Sequence, residues 1–570
     1  MSTFEIDPVT LEIVSNGLRS IADETYVALM KSAYSTNIKE RHDHSTALMD
    51  ARGRLVAQAD NSLPIHLGSM KGLLDALLAK HPLYTMEEGD IFAANDPFVA
   101  GGTHLPDVNL AMPVFDRGKV LCFVCNIAHH ADIGGMAPGS MAGGMREIYQ
   151  EGLRIPVVRL FRRGELQQDI FDLFLLNARL PEERRGDYFA QIAACRLGAR
   201  RVGEMVAHHG ADLLAKSFDE IILRTEMRLR DALKRIPPGT YRFTDVMDDD
   251  GLGTVDIPIT LAIHVSRSAA DPVRFDFTGS SVQVEGNINM TINATQAAVL
   301  YTIKSLLDPD LPNNQGLMNV VEITAPRGTI TNAVFPAAVA ARANTCQRVV
   351  DVILGALAEA VPASVVGAAN GANTTAVFSG HDPRRGRDYL YLETLGGGFG
   401  GRAGKDGKDG VQVHITNTSN LPVESIEAEY PLLVEEYSLI QDSGGAGKNR
   451  GGMGIRRVIR PIGHTATFNG QGERFANAPW GIFGGKAGAR GSFTLVDADG
   501  ESRTLPIKPS GVALTEASVV VIETPGAGGY GPPAERPQEA LEDDFRTGKF
   551  SRHFLSSSYG FTPNQKNQRS

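Results

Sequence analysis

Cysteine is scarce in this sequence of 570 residues, which contains four. Cys122, Cys125, Cys195 and Cys346 are too few to stabilise so long a chain through disulfides, so we expect a reducing compartment. The segment MSTFEIDPVT lacks the basic region and apolar core of a signal peptide, and no uninterrupted apolar run reaches about 18 residues. These absences predict a cytoplasmic protein without a membrane partner.

Long basic runs are also missing. The formal net charge is -10, and lysine and arginine are nowhere dense enough to displace many counterions from a nucleic acid. Hydrophobic residues make up 42% of the chain and charged residues 21%, which is an ordinary globular composition. We therefore expect a globular protein with no nucleic-acid partner.

A convincing nucleotide-binding loop is absent, although three glycine-rich stretches superficially match one. GGGFGG at 396–401 has no helix after it to hold a pyrophosphate, and GAGGYG at 526–531 has no second strand after it. In DSGGAGKNRGG, Asp442 replaces the first glycine of a phosphate loop, and Asn449 replaces the Ser or Thr that would hold magnesium. We interpret these stretches as structural.

The patterns of helix and strand predict an α+β, multi-domain protein with mixed sheets. Long amphipathic helices are expected in the N-terminal half, and the C-terminal half is glycine-rich and strand-rich. Pro237, Pro238 and Gly239 mark a boundary after a helical stretch. We predict an α+β domain at 1–238 with helical 181–235, an α+β domain at 239–384, a β-rich domain at 385–555 and a mobile tail at 556–570.

Half of the 14 histidines are concentrated in a short part of the chain, between positions 42 and 130. They are His42, His44, His66, His81, His104, His129 and His130. In THLPDV, His104 and Asp107 flank a proline at the entrance to a predicted strand, and ERHDHSTALMD places Asp43 just before another strand. This region is therefore where we expect the chemistry.

The adjacent residues His129 and His130 end the predicted strand VLCFVCNIAHH. Successive side chains of a strand point to opposite faces, so only one of the two can join a given cluster. The same period places Cys122 and Cys125 on opposite faces, which argues against a redox or zinc pair.

Three strand junctions that carry His and Asp are compatible with one metal ion. Mixed imidazole and carboxylate ligands suit zinc, manganese or iron, and thiolate ligands are missing. The spacing alone leaves three interpretations open: a mononuclear metal site, an acid and base network without metal, or structural polar residues. His66, in NSLPIHLGSM, is a candidate for orienting a neighbouring ligand.

Several stretches in order resemble the hydantoinase B/oxoprolinase family over nearly the whole chain. They include ERHDHSTALMDARGRLVAQ, GDIFAANDPFVAGGTHLPDVNL, AHHADIGG, GKDGKDGVQVHITNTSNLPVESIEAEYP and ETPGAGGYGPPAERP. The resemblance implies a metal-bearing subunit of a hetero-oligomer. Its partner would be a larger ATPase subunit of the hydantoinase A type, which would bind ATP and magnesium.

Carried over position by position, the family's ligands for one divalent metal (zinc, manganese or iron) correspond to Asp43, His104, Asp107 and His129. The preference for His129 over His130 rests on this resemblance. His130, Asp132 and His66 are candidate catalytic residues for moving protons. The segments ARANTCQR and NGQGERF depart from the family's usual sequence pattern, and this leaves the substrate class open.

The resemblance implies an ATP-dependent hydrolase that opens a small cyclic amide such as a hydantoin, 5-oxoproline or a lactam. The partner subunit would activate the ring carbonyl by phosphorylation, and metal-bound hydroxide would attack it. On this interpretation the chain is active only with its partner. The alternatives are a subunit of an ATP-dependent ketone carboxylase and a non-catalytic scaffold for the ATPase subunit.

Overall fold

The computed structural model describes residues 5–268, 270–371 and 373–563. Among these residues, no helix is both long and apolar enough to cross a lipid bilayer. The cytoplasmic location stays a prediction.

The N-terminal part is built on a seven-stranded antiparallel sheet with the strand order β2-β1-β5-β4-β3-β6-β7. Its strands are β1 (His44–Asp50), β2 (Leu55–Gln58), β3 (Ile91–Ala94), β4 (Asp107–Asp116), β5 (Lys119–His129), β6 (Val158–Arg162) and β7 (Glu165–Leu166). The two long strands β4 and β5 form the hairpin that carries two of the four predicted ligands, Asp107 and His129.

Helices cover both faces of this sheet. They are α1 (Pro8–Ser32), α2 (Thr36–Lys39), α3 (His66–Lys80), α4 (Gln168–Leu176), α5 (Pro181–His209) and α6 (Ala211–Leu233), with short 3-10 helices at Leu83–Thr85 and Ile148–Gln150. Asp7 caps α1 and accepts a hydrogen bond from the Thr10 backbone, as the Asp-Pro start predicts. Cys122 packs with α1 and α5, whereas Cys125 faces the larger core that contains α3. The predicted divergence of these two cysteines is confirmed.

The middle part contains a mixed four-stranded sheet, ordered β11-β10-β9-β8, in which β10 and β11 are parallel. Its strands are β8 (Gly239–Asp249), β9 (Val255–Val265), β10 (Val273–Asp276) and β11 (Val321–Thr324), and its helices are α7 (Ile292–Leu307), α8 (Gln315–Met318) and α9 (Arg342–Ala356). Helices α7 and α9 share one buried core with β9, β10 and α3. The middle part is thereby joined to the N-terminal sheet.

The C-terminal part is a pair of antiparallel sheets, ordered β13-β12-β16-β19 and β14-β15-β20-β17-β18. The strands are β12 (Thr374–Asp382), β13 (Arg387–Leu395), β14 (Leu432–Leu439), β15 (Ile455–Pro461), β16 (Ala466–Gln471), β17 (Ser492–Val496), β18 (Ser502–Thr504), β19 (Val512–Leu514) and β20 (Val519–Glu523). The helices are α10 (Val423–Glu429), α11 (Gln538–Arg546) and α12 (Arg552–Tyr559), with a 3-10 turn at Pro533–Glu535. Phe378 and Phe468 of the first sheet share a core with Ile459 and Phe493 of the second.

Two of the predicted bounds divide a structural unit of this part. Residues 384 and 385 lie in the turn between β12 and β13, which pair from Thr374 to Asp382, so a boundary there would split a hairpin. We move that boundary to before Thr374. The predicted tail begins within α12, where Leu555 is buried, and its last residues, 564–570, lie outside the described residues.

The glycine-rich stretches form a bundle of extended segments, which we call the glycine bundle: residues 396–410, 443–454, 481–491 and 525–531. Backbone hydrogen bonds join the segments, including Gly401 N to Gly528 O and Gly452 N to Phe399 O, both 2.9 Å. A Cβ atom added at Gly528 would lie 1.9 Å from the Trp480 carbonyl oxygen. Glycine is required here because the backbones approach so closely. The nucleotide-loop look-alikes are therefore packing segments.

We predict that Gly528→Ala lowers the free energy of unfolding by about 1–3 kcal/mol or more, because the new methyl group collides with rigid backbone. The matched control is Gly203→Ala in α5, where an added Cβ meets nothing within 4 Å. This control should raise stability by up to about 1 kcal/mol through helix propensity. Urea unfolding of both variants provides the measurement, and equal stabilities would contradict the close packing.

Candidate metal centre

The pairing of β4 with β5 creates the core of the site. Asp107 begins β4 and His129 ends β5, and the two residues are direct partners across the antiparallel ladder. His104 lies in the turn that leads into β4. One potential ligand atom from each of His104, Asp107 and His129 lies within 4.8 Å of the others, and all three side chains are buried. We call these three residues the His-Asp cluster.

Two further predicted residues border the cluster. Asp43 directly precedes β1, and its carbonyl oxygen accepts a hydrogen bond of 3.0 Å from the His129 backbone. His66, at the start of α3, has its Nε2 atom 3.9 Å from Asp43 Oδ1 and 3.7 Å from Asp107 Oδ1. Asp43, His66, Asp107 and His129 all line an internal cavity of ≈ 20 Å³. This volume accommodates a body of about the size of one water molecule.

The hydrogen bonds of His104 determine which nitrogen faces the cluster. Its Nδ1 atom lies 2.9 Å from the Ala340 carbonyl oxygen, which can only accept, so Nδ1 carries the proton. The lone pair of Nε2 then points to Asp107 Oδ1 at 3.0 Å, and both atoms are buried without a hydrogen-bond partner. Two facing acceptors need a cation or a proton between them. The donor set therefore fits a divalent metal ion.

A buried arginine balances the charge of this carboxylate. Arg342, the first residue of α9, donates from Nη2 to Asp107 Oδ2 at 2.6 Å and from Nε to Thr103 Oγ1 at 3.2 Å. Burial opposes ionisation of Asp107, but the Arg342 guanidinium bonded to this carboxylate helps to hold its pKa well below the usual value. Burial lowers the pKa values of His104 and His129, which favours the neutral form of both rings.

Burial has the opposite effect on the second carboxylate. It raises the pKa of Asp43, although Arg41 and His66 work against this shift.

Asn37 in α2 contacts His129. Its Nδ2 atom lies 2.7 Å from the carbonyl oxygen and 3.0 Å from Nδ1 of His129. Arg41 donates to the amide oxygen of Asn37 and fixes the direction of that amide. The His129 ring is thus held in place from α2.

The structure does not bring His130 and Asp132 to the cluster. His130 lies on the opposite face of the sheet, with Nε2 at 2.9 Å from Gln191 Oε1 and its ring against Tyr188. Asp132 accepts hydrogen bonds from the Gly134 backbone and from Arg179 Nη1, the latter at 2.8 Å. Their proposed catalytic roles stay predictions, and their contacts are those of structural residues.

The sequence of this chain is similar to those of several known proteins. A family model described as hydantoinase B/oxoprolinase matches residues 7–533. The chain belongs to the hydantoinase B/oxoprolinase family. A Pseudomonas sp. (strain NS671) protein named as a D-/L-hydantoinase subunit is 33% identical over 98% of this chain and 95% of its own length. The 5-oxoprolinase of Dictyostelium discoideum is 33% identical, and the match covers 93% of this chain but 41% of that protein.

Two solved structures share this fold. The ATP-dependent caprolactamase of Pseudomonas jessenii aligns with a TM-score of 0.92 at 29% identity, covering 99% of this chain and 98% of that chain. A nucleotide-free acetone carboxylase aligns with a TM-score of 0.91 at 20% identity, covering 100% of this chain and 82% of that chain. The predicted multi-domain α+β fold class is confirmed.

Sequence reasoning missed the residues that support the cluster in this member of the hydantoinase B/oxoprolinase family. Arg342 and Ala340 contact it from far along the chain, and Asn37 contacts it from a short helix. The one sequence feature that pointed to Arg342 was the segment ARANTCQR, which begins at Ala341 and departs from the family's usual pattern. Long-range packing, which a local pattern does not encode, brings these residues to the site.

We predict that Asp107→Asn and His129→Ala each reduce bound metal at least about 10-fold, because each removes one buried ligand. Plasma mass spectrometry of the purified chain measures the metal, with circular dichroism as a check of folding. His381→Ala, at an exposed histidine paired with Asp388, is the control. Full metal content in a folded Asp107→Asn variant would contradict the assignment.

We also predict that His130 contributes to acid sensitivity. Burial lowers its pKa to about 4, because Nδ1 is buried without a partner and the charged ring would be poorly solvated. The unfolded chain therefore binds the proton more readily, and stability falls as the pH decreases from about 6.5 towards 4, by about 3 kcal/mol.

His130→Gln keeps an amide that can donate to Gln191 and should flatten this part of the pH dependence. Chemical unfolding at pH 7.5 and pH 4.5 provides the comparison. Identical pH dependence in the wild type and the variant would refute the assignment.

Proposed function

We propose that this chain is the metal-bearing subunit of an ATP-dependent enzyme that hydrolyses a small cyclic amide. The single observation that carries the proposal is the buried pair of acceptors, His104 Nε2 and Asp107 Oδ1, at 3.0 Å. The names of the relatives, a hydantoinase subunit and a 5-oxoprolinase, support the class of reaction.

His104, Asp107 and His129, with Asp43 beside them, would hold one divalent ion, which we propose to be zinc, manganese or iron. When bound, such an ion polarises a carbonyl oxygen and lowers the pKa of a water molecule so that hydroxide is available near neutral pH. The low pKa of Asp107 and the neutral imidazoles keep these ligands in the required protonation states.

Other residues at or beside the cavity can hold a proton or bind an anion. Ser45 Oγ lies 2.8 Å from His66 Nδ1, so a proton supplied by Ser45 would leave Nε2 protonated between the two carboxylates. Arg342 lines the cavity, and its Nη1 atom makes no hydrogen bond among the described residues. We assign His66 the role of holding a proton and Arg342 that of binding an oxygen anion of the substrate.

ATP would be bound by a partner of the hydantoinase A type, together with magnesium. Backbone N–H groups of the glycine stretches donate hydrogen bonds to carbonyl oxygens within the glycine bundle, so these groups are not free to bind phosphate. The relative from strain NS671 is named as a subunit, and the caprolactamase structure is described as ATP-dependent. We infer a hetero-oligomer in which the partner phosphorylates the ring carbonyl oxygen and this chain completes the hydrolysis.

The test is turnover of hydantoin, 5-oxoproline and ε-caprolactam by the chain assembled with its ATPase partner. We expect ring-opened product and ADP in wild type, and a loss of at least about 100-fold in kcat in His104→Ala and Asp43→Ala with complex assembly unchanged. Tyr84→Ala, at a tyrosine that is 88% exposed, is the control.

Two other outcomes would identify the alternatives. Unchanged turnover in folded His104→Ala would indicate a non-catalytic scaffold for the ATPase subunit. Incorporation of labelled bicarbonate into a ketone, without hydrolysis of any ring, would indicate a ketone carboxylase, whose fold this chain shares.

A further inference from the structure

The cavity at the His-Asp cluster is too small to hold a substrate ring. Its volume of ≈ 20 Å³ matches about one water molecule, so only the reacting group can enter it. A cleft of ≈ 390 Å³ lies beside it, and this volume is within the range of small-molecule sites. We call it the Tyr301 cleft; its lining includes Pro64, Leu67, Tyr301, Lys304, Phe399 and His414.

A single layer of chain separates the Tyr301 cleft from the cavity. Leu63 and Ile65 line the cavity, while the residues between and before them, Pro64 and Ser62, line the cleft. Thr416 lines both spaces. We call residues 62–65 and 416–418 the seam.

Few hydrogen bonds hold the two sides of the seam together. Ile65 N donates to Ile415 O at 3.4 Å, and Asn417 Nδ2 donates to the Asn61 carbonyl at 3.2 Å. Both distances are at or beyond the long end of the usual range. The metal centre and the cleft are therefore neighbours across a weakly bonded wall.

The cleft combines two aromatic side chains with several polar ones, among them Asp60, Lys304 and Gln412. The His414 ring lies between Tyr301 and Phe399, with centroid distances of 6.3 Å and 5.9 Å. Lys304 supplies an ammonium group that donates to Asn313 at 2.9 Å. Apolar surface beside polar groups suits a small ring that carries both methylene and amide groups.

His414 is held in an unusual conformation. Its φ angle is 52°, in the left-handed region that residues other than glycine seldom adopt, and its exposed fraction is 6%. Nε2 lies 3.0 Å from Asp351 Oδ1, and Asp351 Oδ2 accepts from Arg474 at 2.7 Å. This carboxylate holds the His414 proton on Nε2, which leaves Nδ1 as an acceptor. Within the described residues, Nδ1 has no hydrogen-bond partner.

We propose that the Tyr301 cleft binds the ring of a cyclic amide, with His414 Nδ1 accepting a hydrogen bond from the ring N–H. In a small lactam or hydantoin the N–H and C=O groups lie on the same edge, so the carbonyl would face the seam and the metal centre behind it. The inference rests on the proposed function, whose substrate it locates.

A larger cleft elsewhere in the described residues is a poorer candidate. Its volume is ≈ 770 Å³, and charged side chains of both signs dominate its lining, among them Lys39, Glu183, Arg387 and Asp388. It shares no lining residue with the cavity at the His-Asp cluster. A ring bound there would be separated from the metal ligands.

The experiment is calorimetric titration of the metal-loaded, full-length chain with ε-caprolactam, hydantoin and 5-oxoproline, each alone. We expect His414→Asn to raise the Kd of the bound amide at least 10-fold, because asparagine tolerates the left-handed conformation but does not present the same acceptor. Metal content should not change. The matched control is His381→Asn, which removes an exposed His–Asp pair of 2.9 Å and should leave the Kd unchanged.

A second variant tests the cleft without altering a buried residue. Ser305 is exposed on α7 and lines the cleft, so Ser305→Trp should fill the mouth and weaken binding at least 10-fold. Unchanged Kd values in both variants, or no binding of any amide to wild type, would overturn the inference.

Turnover by the assembled complex separates the two proposals. If wild type hydrolyses a ring with ATP and both variants keep its KM, the location of the substrate is wrong and the proposed function stands. If wild type binds a ring at the cleft but the complex hydrolyses none, the binding site stands and the proposed function fails.

Discussion

The register between β4 and β5 is the constraint on which the site depends. Asp107 and His129 face each other across this ladder, and a slip of one residue would bring His130 to the cluster instead. The register is fixed because both faces of the sheet are buried: Val124 packs with α1 and α5, and Phe123 packs in the larger core. The positions of Asp107 and His129 are therefore a product of core packing along the whole hairpin.

Charge compensation at the site comes from elements that are distant in the sequence. Arg342 of the middle part keeps Asp107 ionised, and Arg41 reaches His129 through Asn37. Asp43 has a raised pKa in the same small space, and a nearby dication would favour its ionised form. A divalent ion bound here would therefore be coupled to loss of a proton from Asp43, and a change in the packing of α9 would alter the charge balance of the cluster.

Sequence patterns predicted the parts of this molecule that depend on local geometry. The two-residue period of a strand separated His129 from His130 and Cys122 from Cys125, and Asp7 with Pro8 marked the first helix. The fold class followed from the same periodicities. Selection of His129 required the family resemblance, since the period only shows that the two histidines diverge.

The rest depended on contacts that local patterns do not encode. Arg342 and Ala340 reach the site through tertiary packing, and His414 drew no attention because its partner Asp351 is on another element. The boundary between 384 and 385 was predicted because the chain becomes rich in glycine and strand patterns there, whereas the pairing of β12 with β13 is evident only in three dimensions. The glycine stretches were interpreted as structural, but their mutual packing was not predicted.

The glycine bundle has a consequence for the order in which the chain folds. Its segments are spread from 396 to 531, and the last of them, 525–531, bonds to the others through Gly528, Gly529 and Tyr530. During synthesis this segment emerges after the other three, so the bundle closes only once it has left the ribosome. Glycine also loses more backbone entropy on ordering than any other residue. A ribosome that stops before codon 525 would release a chain whose C-terminal half lacks the central segment of its packing.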